Sequence, residues 1–289
     1  MKKIRYAFEG LFFGLMLFIF SALSARKASQ LGGWIGKTLG PRLAASRKAY
    51  RHLNHALPNL PKDQQDAIIA GMWENLGKVM AEYPHLDYIA RNNVEIIGLD
   101  KLKALRDDGK AAIMFGSHIG NWEIASPAFY TQNLYVDLVY RAPNNPWADK
   151  MLDRMRSIKG RFKTYPKSTA GTRNLVKALK DNRHIGILID QKYNEGLPAD
   201  FFGTPAMTSP AFVQLAQKFN CPLVPIDIKR IGLNNFTITV NDEIPVFTQN
   251  GTKRPVEDVI AQAHKHLESL IEKNPSQWLW LHRRWGKNV

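Results

Sequence analysis

The chain has 289 residues, of which 45% are hydrophobic, so it can bury a sizeable core and wholesale disorder is excluded. It carries 40 Lys and Arg against 25 Asp and Glu, and the net charge of +15 predicts an anionic partner such as nucleic acid, acidic lipid or a phosphorylated substrate. The single cysteine, Cys221, excludes an internal disulfide framework and argues against a cysteine-built metal site.

The N-terminal part combines a strong positive charge with the most apolar run of the chain. Residues 1–60 hold ten basic side chains and one acid, Glu9, and residues 10–25 carry no charge. As a helix this run would span roughly 24 Å, short of the ~30 Å hydrocarbon core of a bilayer. It is compatible with a cleaved signal peptide, with a helix that spans or lies in a membrane, and with a buried core helix. The basic residues that follow favour a membrane helix with the body in the cytoplasm. We expect residues 1–45 to anchor the protein and residues 46–289 to form its main domain.

Beyond residue 60, short apolar runs alternate with helical patterns. Helices are predicted over residues 62–82, 101–107, 172–182, 209–219 and 255–273, and strands over residues 94–97, 111–115, 135–140, 162–165, 184–189, 223–229 and 236–240. Continuous apolar strands that alternate with helices are typical of a parallel sheet covered on both faces. The sequence therefore predicts an α/β fold in a single domain, with a mixed, largely parallel sheet flanked by helices.

Polar residues follow three of the predicted strands. They supply an imidazole, two carboxylates, an amide and a guanidinium: His118, Glu123, Asp190, Gln191 and Arg141. Functional groups of such sheets lie just past the carboxyl ends of the strands, so we expect these side chains along one edge.

His118 is the strongest single candidate, because an imidazole accepts a proton near neutral pH. If Glu123 lies in the first turn of the following helix, its carboxylate can reach back to the ring, fix its tautomer and stabilise the imidazolium. A packing or capping role of His118 is the alternative. No G-x-S-x-G nucleophile motif is present, and Cys221 is most simply a buried thiol. We therefore expect direct chemistry, in which His118 deprotonates a substrate hydroxyl that attacks an activated carbonyl.

The C-terminal residues interleave aromatic rings with the cations Arg283 and Arg284. This pattern suits a membrane interface or a phosphate-bearing ligand, and it equally suits a tail packed against the body. The paired histidines of the chain lack a metal-binding arrangement, so we expect no metal site.

Five segments occur in a fixed order: HIGNWE at 118–123, YRAPNNP at 140–146, DQ at 190–191, FFGTPAMT at 201–208 and QWLWLHRRW at 277–285. Together with the basic, apolar N-terminus they resemble the bacterial lipid A biosynthesis acyltransferases of the late-acting lauroyl/myristoyl transferase type. The H-x4-E box alone is shared with glycerolipid acyltransferases, whereas the ordered set is more specific and covers nearly the whole chain.

The resemblance implies a glycerolipid acyltransferase-like fold in residues 46–289 and an acyl carrier protein thioester as donor, with no cofactor. The acceptor would be a hydroxyl of a lipid A precursor at the cytoplasmic face of the inner membrane, where anionic lipid would hold the basic N-terminus. His118 matches the family's base and Glu123 its partner, while Asp190 and Gln191 would position substrate. The basic residues expected to bind substrate are Arg141, Arg154, Arg156, Arg283 and Arg284.

Three alternatives stay open at this stage. The same mechanism would serve a different lipid or glycolipid acceptor, and water in place of the acceptor would make the protein a lipid hydrolase. A non-catalytic basic module that binds membrane or nucleic acid rests on the charge alone. Because no nucleic-acid motif accompanies the charge, we expect no nucleic-acid partner.

Overall fold

The computed structural model describes residues 2–158 and 160–286. Its α-helices are α1 (Lys2–Ala22), α2 (Ala25–Leu39), α3 (Ser46–Ala56), α4 (Lys62–Glu82), α5 (Leu86–Asn92), α6 (Leu99–Asp107), α7 (Ala125–Tyr130), α8 (Pro146–Arg156), α9 (Thr169–Lys180), α10 (Ala211–Phe219) and α11 (Val256–Lys273). Its strands are β1 (Val94–Ile97), β2 (Ile113–Gly116), β3 (Val136–Tyr140), β4 (Thr164–Pro166), β5 (His184–Leu188), β6 (Leu197–Phe201), β7 (Thr204–Thr208), β8 (Leu223–Arg230) and β9 (Phe236–Val240).

Seven strands form the central sheet in the order β1-β9-β8-β2-β5-β3-β4. Neighbouring strands are parallel except for the antiparallel pair of β8 and β9. The remaining strands, β6 and β7, form a separate antiparallel hairpin. These findings confirm the predicted α/β fold with a mixed, largely parallel sheet, and the seven predicted strands all belong to it.

The sheet separates two hydrophobic cores. Along β2, Ile113 and Phe115 point into the core that contains α10 and α11, while Met114 points into the core that contains α5 and α7. The alternation follows from the strand period of two, and every one of these side chains is at most 2% exposed. Burying each contributes roughly 1.5–3 kcal/mol relative to leaving it in water. The central strand therefore reads as a continuous apolar run because both its faces are covered.

Helices α2 and α4 pack side by side at unusually close range. The backbone of Gly36 lies against the carbonyl of Trp73, and Gly77 lies against the carbonyl of Gly32, so a Cβ at Gly36 or Gly77 would overlap the neighbouring backbone. Glycine is therefore required at both contacts. The pair forms a rigid support whose α4 side chains hold the loop that follows β2.

Helix α1 packs one row of residues against the body and exposes the other. Leu17 and Phe20 are buried, Gly10 lies against Trp147 of α8, and the Asn145 side chain donates a 2.9 Å hydrogen bond from Nδ2 to the carbonyl of Tyr6. The helix is long and apolar enough to cross a membrane. Its outer row consists of large exposed apolar side chains: Ile4, Phe8, Leu11, Phe12, Leu15, Phe18 and Ile19. The alternative of a buried core helix is therefore wrong.

Several elements were not predicted from the sequence: α2, α3, α5, α8 and the β6–β7 hairpin. The helix expected after His118 is α7, which begins only at Ala125, so Glu123 lies before it. The predicted helix at Ser209 begins instead at Ala211, whose N–H donates to Ser209 Oγ over 3.4 Å. Helix α4 and strands β1 and β9 have the predicted bounds.

Candidate active site

The loop that follows β2 carries the strongest candidate residues. It turns at Gly120, whose φ of 60° lies in the left-handed region and whose Cβ would stand 2.7 Å from the carbonyl oxygen of Ile228. A residue with a side chain would be strained and obstructed there. The turn places His118 just past the carboxyl end of β2.

The ring of His118 is paired with Asp190, which follows the neighbouring strand β5. His118 Nδ1 lies 2.7 Å from Asp190 Oδ1, and the His118 backbone N–H donates to Asp190 Oδ2 over 2.8 Å. Trp278 Nε1 donates to the same Oδ2, also over 2.8 Å. Burial by itself would raise the pKa of Asp190, but the charge and hydrogen bonds of His118 outweigh it and hold that pKa below the usual value. Asp190 is therefore an ionised, fully bonded partner of His118.

Glu123 does not occupy the place beside His118 that the sequence predicted for it. Its carboxylate accepts from Arg156 at 2.6 Å (Nε) and 2.7 Å (Nη2), and from the Tyr83 hydroxyl at 2.7 Å. Burial would raise the pKa of Glu123, but the Arg156 charge and these bonds lower it. The expectation that Glu123 fixes the His118 tautomer is wrong. Chain proximity suggested it, whereas the sheet brings Asp190 from 72 residues away.

Gln191 joins His118 to a second histidine. Its Nε2 lies 3.1 Å from His118 Nε2 and 3.0 Å from His282 Nε2. An amide nitrogen carries two N–H donors, so Nε2 of His118 and Nε2 of His282 each accept one of them. The network thus assigns the Nδ1–H tautomer to His118, with Nδ1–H donated to Asp190 and the lone pair of Nε2 available as a base. Burial, followed by the charge of His118, lowers the pKa of His282 to about 4, so His282 is neutral near pH 7.

A buried polar network holds the loop after β2 in place. Asn75 Nδ2 of α4 donates to the Gly120 carbonyl over 2.8 Å, and Asn121 Nδ2 donates to Glu82 Oε2 over 2.8 Å. Arg230 of β8 completes the network with a 2.6 Å bond from Nη1 to Glu82 Oε1. Glu82 is completely buried, so the carboxylate depends on these donors for its solvation.

A cavity of about 160 Å³ runs along the sheet beside this loop. Its apolar wall comes from β2, β3, β5, β8 and α7: Met114, Ala125, Phe129, Val136, Leu138, Gly186, Ile226 and Ile228. Its polar wall comes from residues at the carboxyl edge of the sheet together with the Glu123–Arg156 pair: His118, Arg141, Lys167, Gln191, Glu123 and Arg156. An apolar chain with a polar, reactive end matches this division. Burial lowers the pKa of Lys167, and the nearby Arg141 lowers it further.

The predicted basic residues are distributed unequally. Arg141 and Arg156 line the cavity, with Arg156 bonded to Glu123. Arg154 and Arg283 are exposed and lie outside the lining. Arg284 is completely buried, where its Nη2 donates to Thr208 Oγ1 over 2.7 Å. Its contacts are with the fold itself and not with the cavity.

The C-terminal segment packs against the body, which confirms one of the two interpretations of its sequence. Trp278, Trp280 and Trp285 are each at most 1% exposed. Leu279 N–H donates to the His118 carbonyl over 3.0 Å, which joins this segment to the loop after β2. Sequence reasoning missed Trp278 and His282 as site residues. The QWLWLHRRW segment contains both residues, but its sequence suits a membrane surface as well as a segment packed against the body.

Comparisons with known proteins agree over most of the chain. Residues 1–287 match the family model described as bacterial lipid A biosynthesis acyltransferase. The chain is 24% identical over 268 residues to the lipid A biosynthesis palmitoleoyltransferase of Escherichia coli, a match that covers 88% of this chain and 83% of that protein. A lipid A biosynthesis acyltransferase of Shigella flexneri has the same identity and coverage. One from Haemophilus influenzae is 23% identical over 265 residues, covering 87% of this chain and 81% of that protein.

Proposed function

Because the chain belongs to the bacterial lipid A biosynthesis acyltransferase family, we propose that it transfers a fatty acyl chain from an acyl carrier protein thioester to a hydroxyl of a lipid A precursor. The family makes it an acyltransferase of lipid A biosynthesis. The observation that carries the proposed mechanism is the His118–Asp190 pair, of which His118 lines the polar wall of an otherwise apolar cavity. The proposal needs no resident cofactor.

His118 is the general base of the proposed reaction. Its Nε2 takes the proton of the acceptor hydroxyl as the oxygen attacks the thioester carbonyl. A C–O bond forms, the C–S bond of the tetrahedral intermediate then breaks, and the thiolate leaves with the proton that His118 returns. Asp190 stabilises the imidazolium between the two transfers, because its ionised carboxylate accepts from Nδ1. A thioester is activated enough that no covalent enzyme intermediate is required.

The cavity supports the proposal on both sides of the reacting carbonyl. The apolar wall would hold the acyl chain, and Arg141 and Lys167 are cations close to the developing oxyanion. Gln191 bonds to His118 Nε2, so the acceptor hydroxyl must take over that position while Gln191 keeps its bond to His282. Glu123 acts by holding Arg156 against the cavity wall.

The membrane attachment follows from α1. Its inner row contacts the body from Tyr6 to Phe20, which leaves no free length to cross a bilayer alone. We therefore place α1 in the interface of the inner membrane, with its outer row in lipid and the body on the cytoplasmic face. The basic residues that follow α1 favour this side and contact anionic lipid.

The test is acyl transfer from a panel of acyl carrier protein thioesters to a tetra-acylated lipid A precursor, with membranes that contain wild type or His118→Ala. We expect a new acylated lipid with the wild type alone, and its mass identifies the preferred chain. Free fatty acid without acylated lipid would instead make water the acceptor. Equal transfer by folded His118→Ala would overturn the proposed mechanism.

A further inference from the structure

The outer face of α3 forms a basic surface. Arg47 and Arg51 are one helical turn apart and exposed, and Lys48 lies between them. They line an open basin on the protein surface. No acidic residue occurs between Glu9 and Lys62 in the sequence. In the part of the chain that the structure describes, none of these three cations is paired with a carboxylate.

Like charges one turn apart on a helix destabilise it, so the fold itself gains nothing from this arrangement. The helix is nevertheless firmly held from its other side. His52 Nδ1 lies 2.8 Å from the Trp280 carbonyl oxygen, and Trp73 Nε1 donates to Ser46 Oγ over 2.8 Å. The charges are therefore presented on a rigid element, which suits an anionic partner that must dock in one orientation.

The helix that carries this basic face is connected to His118 through the C-terminal segment. The inner side of α3 packs on the C-terminal segment, and that segment carries His282, which shares Gln191 with His118. The positive charge of Lys48 is close enough to contribute to lowering the pKa of His282, after the larger effects of burial and of His118. A partner bound here would thus sit on the helix that supports the C-terminal side of the active site.

We propose that the α3 basic face, made of Arg47, Lys48 and Arg51, docks the acidic surface of the carrier protein that delivers the acyl thioester. This inference rests on the proposed function, because it assigns a place to the donor. A lipid surface fits less well. Most of the exposed large apolar side chains that a bilayer needs lie on α1, with Trp34 and Leu39 on α2, and only Leu43 precedes the basin directly in the chain. The basin itself is lined by basic and polar residues and one alanine.

The experiment compares the full-length wild type with the charge-reversed Arg47→Glu/Arg51→Glu variant on two donors. One donor is the carrier-protein thioester, and the other is the same acyl group on pantetheine, which lacks the protein. We expect the variant to raise KM for the carrier-protein donor about tenfold or more at low salt, with KM for the pantetheine donor unchanged. The matched control is Lys177→Glu/Lys180→Glu, an equal charge change on exposed residues of α9, which packs on β5 and the edge strand β4, and it should leave both values unchanged.

The alternative outcomes separate the two proposals. Normal KM for the carrier-protein donor in the α3 variant would overturn the docking inference while the proposed function stands. An equal loss with both donors, together with weaker binding to vesicles of anionic phospholipid, would make the face a lipid site and also overturn it. A wild type that uses neither donor would overturn the proposed function and the docking inference together.

Discussion

Asp190 is bonded on both oxygens, which makes its substitution informative. In Asp190→Asn, the single amide oxygen can replace Oδ2 and still accept from Trp278. The NH₂ group then replaces Oδ1 and faces His118 Nδ1. The ring must offer a lone pair there and place its proton on Nε2, which removes the base. We predict a fall in kcat of about 10²–10⁴ with KM little changed. Steady-state kinetics on the folded variant measures it.

Two further variants test whether Asp190 is the partner of His118. The double variant His118→Ala/Asp190→Asn should be no slower than His118→Ala, because residues that act as a unit are not additive. Near-normal kcat in Asp190→Asn, with a large loss in Glu123→Gln, would show that the carboxylate of the H-x4-E box is the functional partner after all.

Glu123 and Arg156 form a pair that is nearly removed from water, with side chains 5% and 12% exposed. Glu123→Ala leaves the guanidinium unpaired and the Tyr83 hydroxyl without its acceptor. We predict that the free energy of unfolding falls by about 3–5 kcal/mol, measured by urea denaturation in detergent. The control is Asp87→Ala, which breaks exposed pairs and should cost less than about 1 kcal/mol. Similar losses in both variants would contradict the argument.

The sequence identified the chemistry of individual residues better than their contacts. His118, Arg141 and Gln191 were predicted to share one edge of the sheet, and all three line the cavity. The partner of His118 was misassigned because Glu123 is close in the chain, whereas β2 and β5 are neighbours only in the folded sheet. Which strands are adjacent cannot be read from the order in which they occur.

At the scale of elements, α1 gives a prediction about topology. An interfacial helix keeps both ends on the cytoplasmic side, whereas a spanning helix places its N-terminal end in the periplasm. In a Cys221→Ala background, Arg5→Cys should react with a membrane-impermeant maleimide in inside-out vesicles and not in intact spheroplasts. The control is Lys101→Cys, at a body residue whose side chain is 40% exposed, and the same pattern is expected for it. Labelling of Arg5→Cys from outside would establish a spanning helix.

The β6–β7 hairpin shows why some elements escaped prediction. Its turn residues Phe202 and Gly203 have φ of 53° and 70°. A turn with two positive φ values favours Asn, Asp or Gly at its first position, so phenylalanine there does not indicate a turn. Each strand also contains a proline, Pro198 or Pro205, which argues against a strand when only the sequence is read. A two-stranded hairpin has only edge strands, so both prolines are tolerated. The strands of the central sheet, which are apolar throughout, carried a far clearer signal.

At the scale of the whole molecule, the site depends on contacts between distant parts of the chain. The C-terminal segment returns to the loop after β2, where Leu279 bonds to His118, Trp278 to Asp190 and His282 to Gln191. The contacts of this segment could not be predicted from the sequence, because a tryptophan-rich, basic stretch is compatible with both a core and a membrane surface. The same segment packs Arg284 against His264, and the burial of this histidine makes the stability of the fold depend on pH.

His264 is a buried histidine that accepts from Arg284 Nη2 at its Nε2 over 3.0 Å. Burial and the adjacent guanidinium lower the pKa of His264 to about 4, below the ~6.5 of an unfolded chain. The unfolded state therefore binds the proton first. The resulting stability is complete above pH 6.5 and is lost as the pH falls toward 4, by about 2–3 kcal/mol for this residue.

His264→Gln keeps an acceptor for Arg284 but does not titrate. We predict that the wild type loses more stability between pH 7.5 and 4.5 than this variant does, as measured by the urea midpoint at each pH with the slope checked for constancy. The low end of the range stays above the unfolded pKa of aspartate and glutamate, so protonation of Asp190 and Glu123 adds little to the difference. His282, whose pKa is also lowered to about 4, titrates in both proteins and accounts for part of the loss that remains. An identical loss in the two proteins would mean that His264 binds its proton as readily in the folded chain as in the unfolded chain. Its bond to Arg284 opposes that outcome.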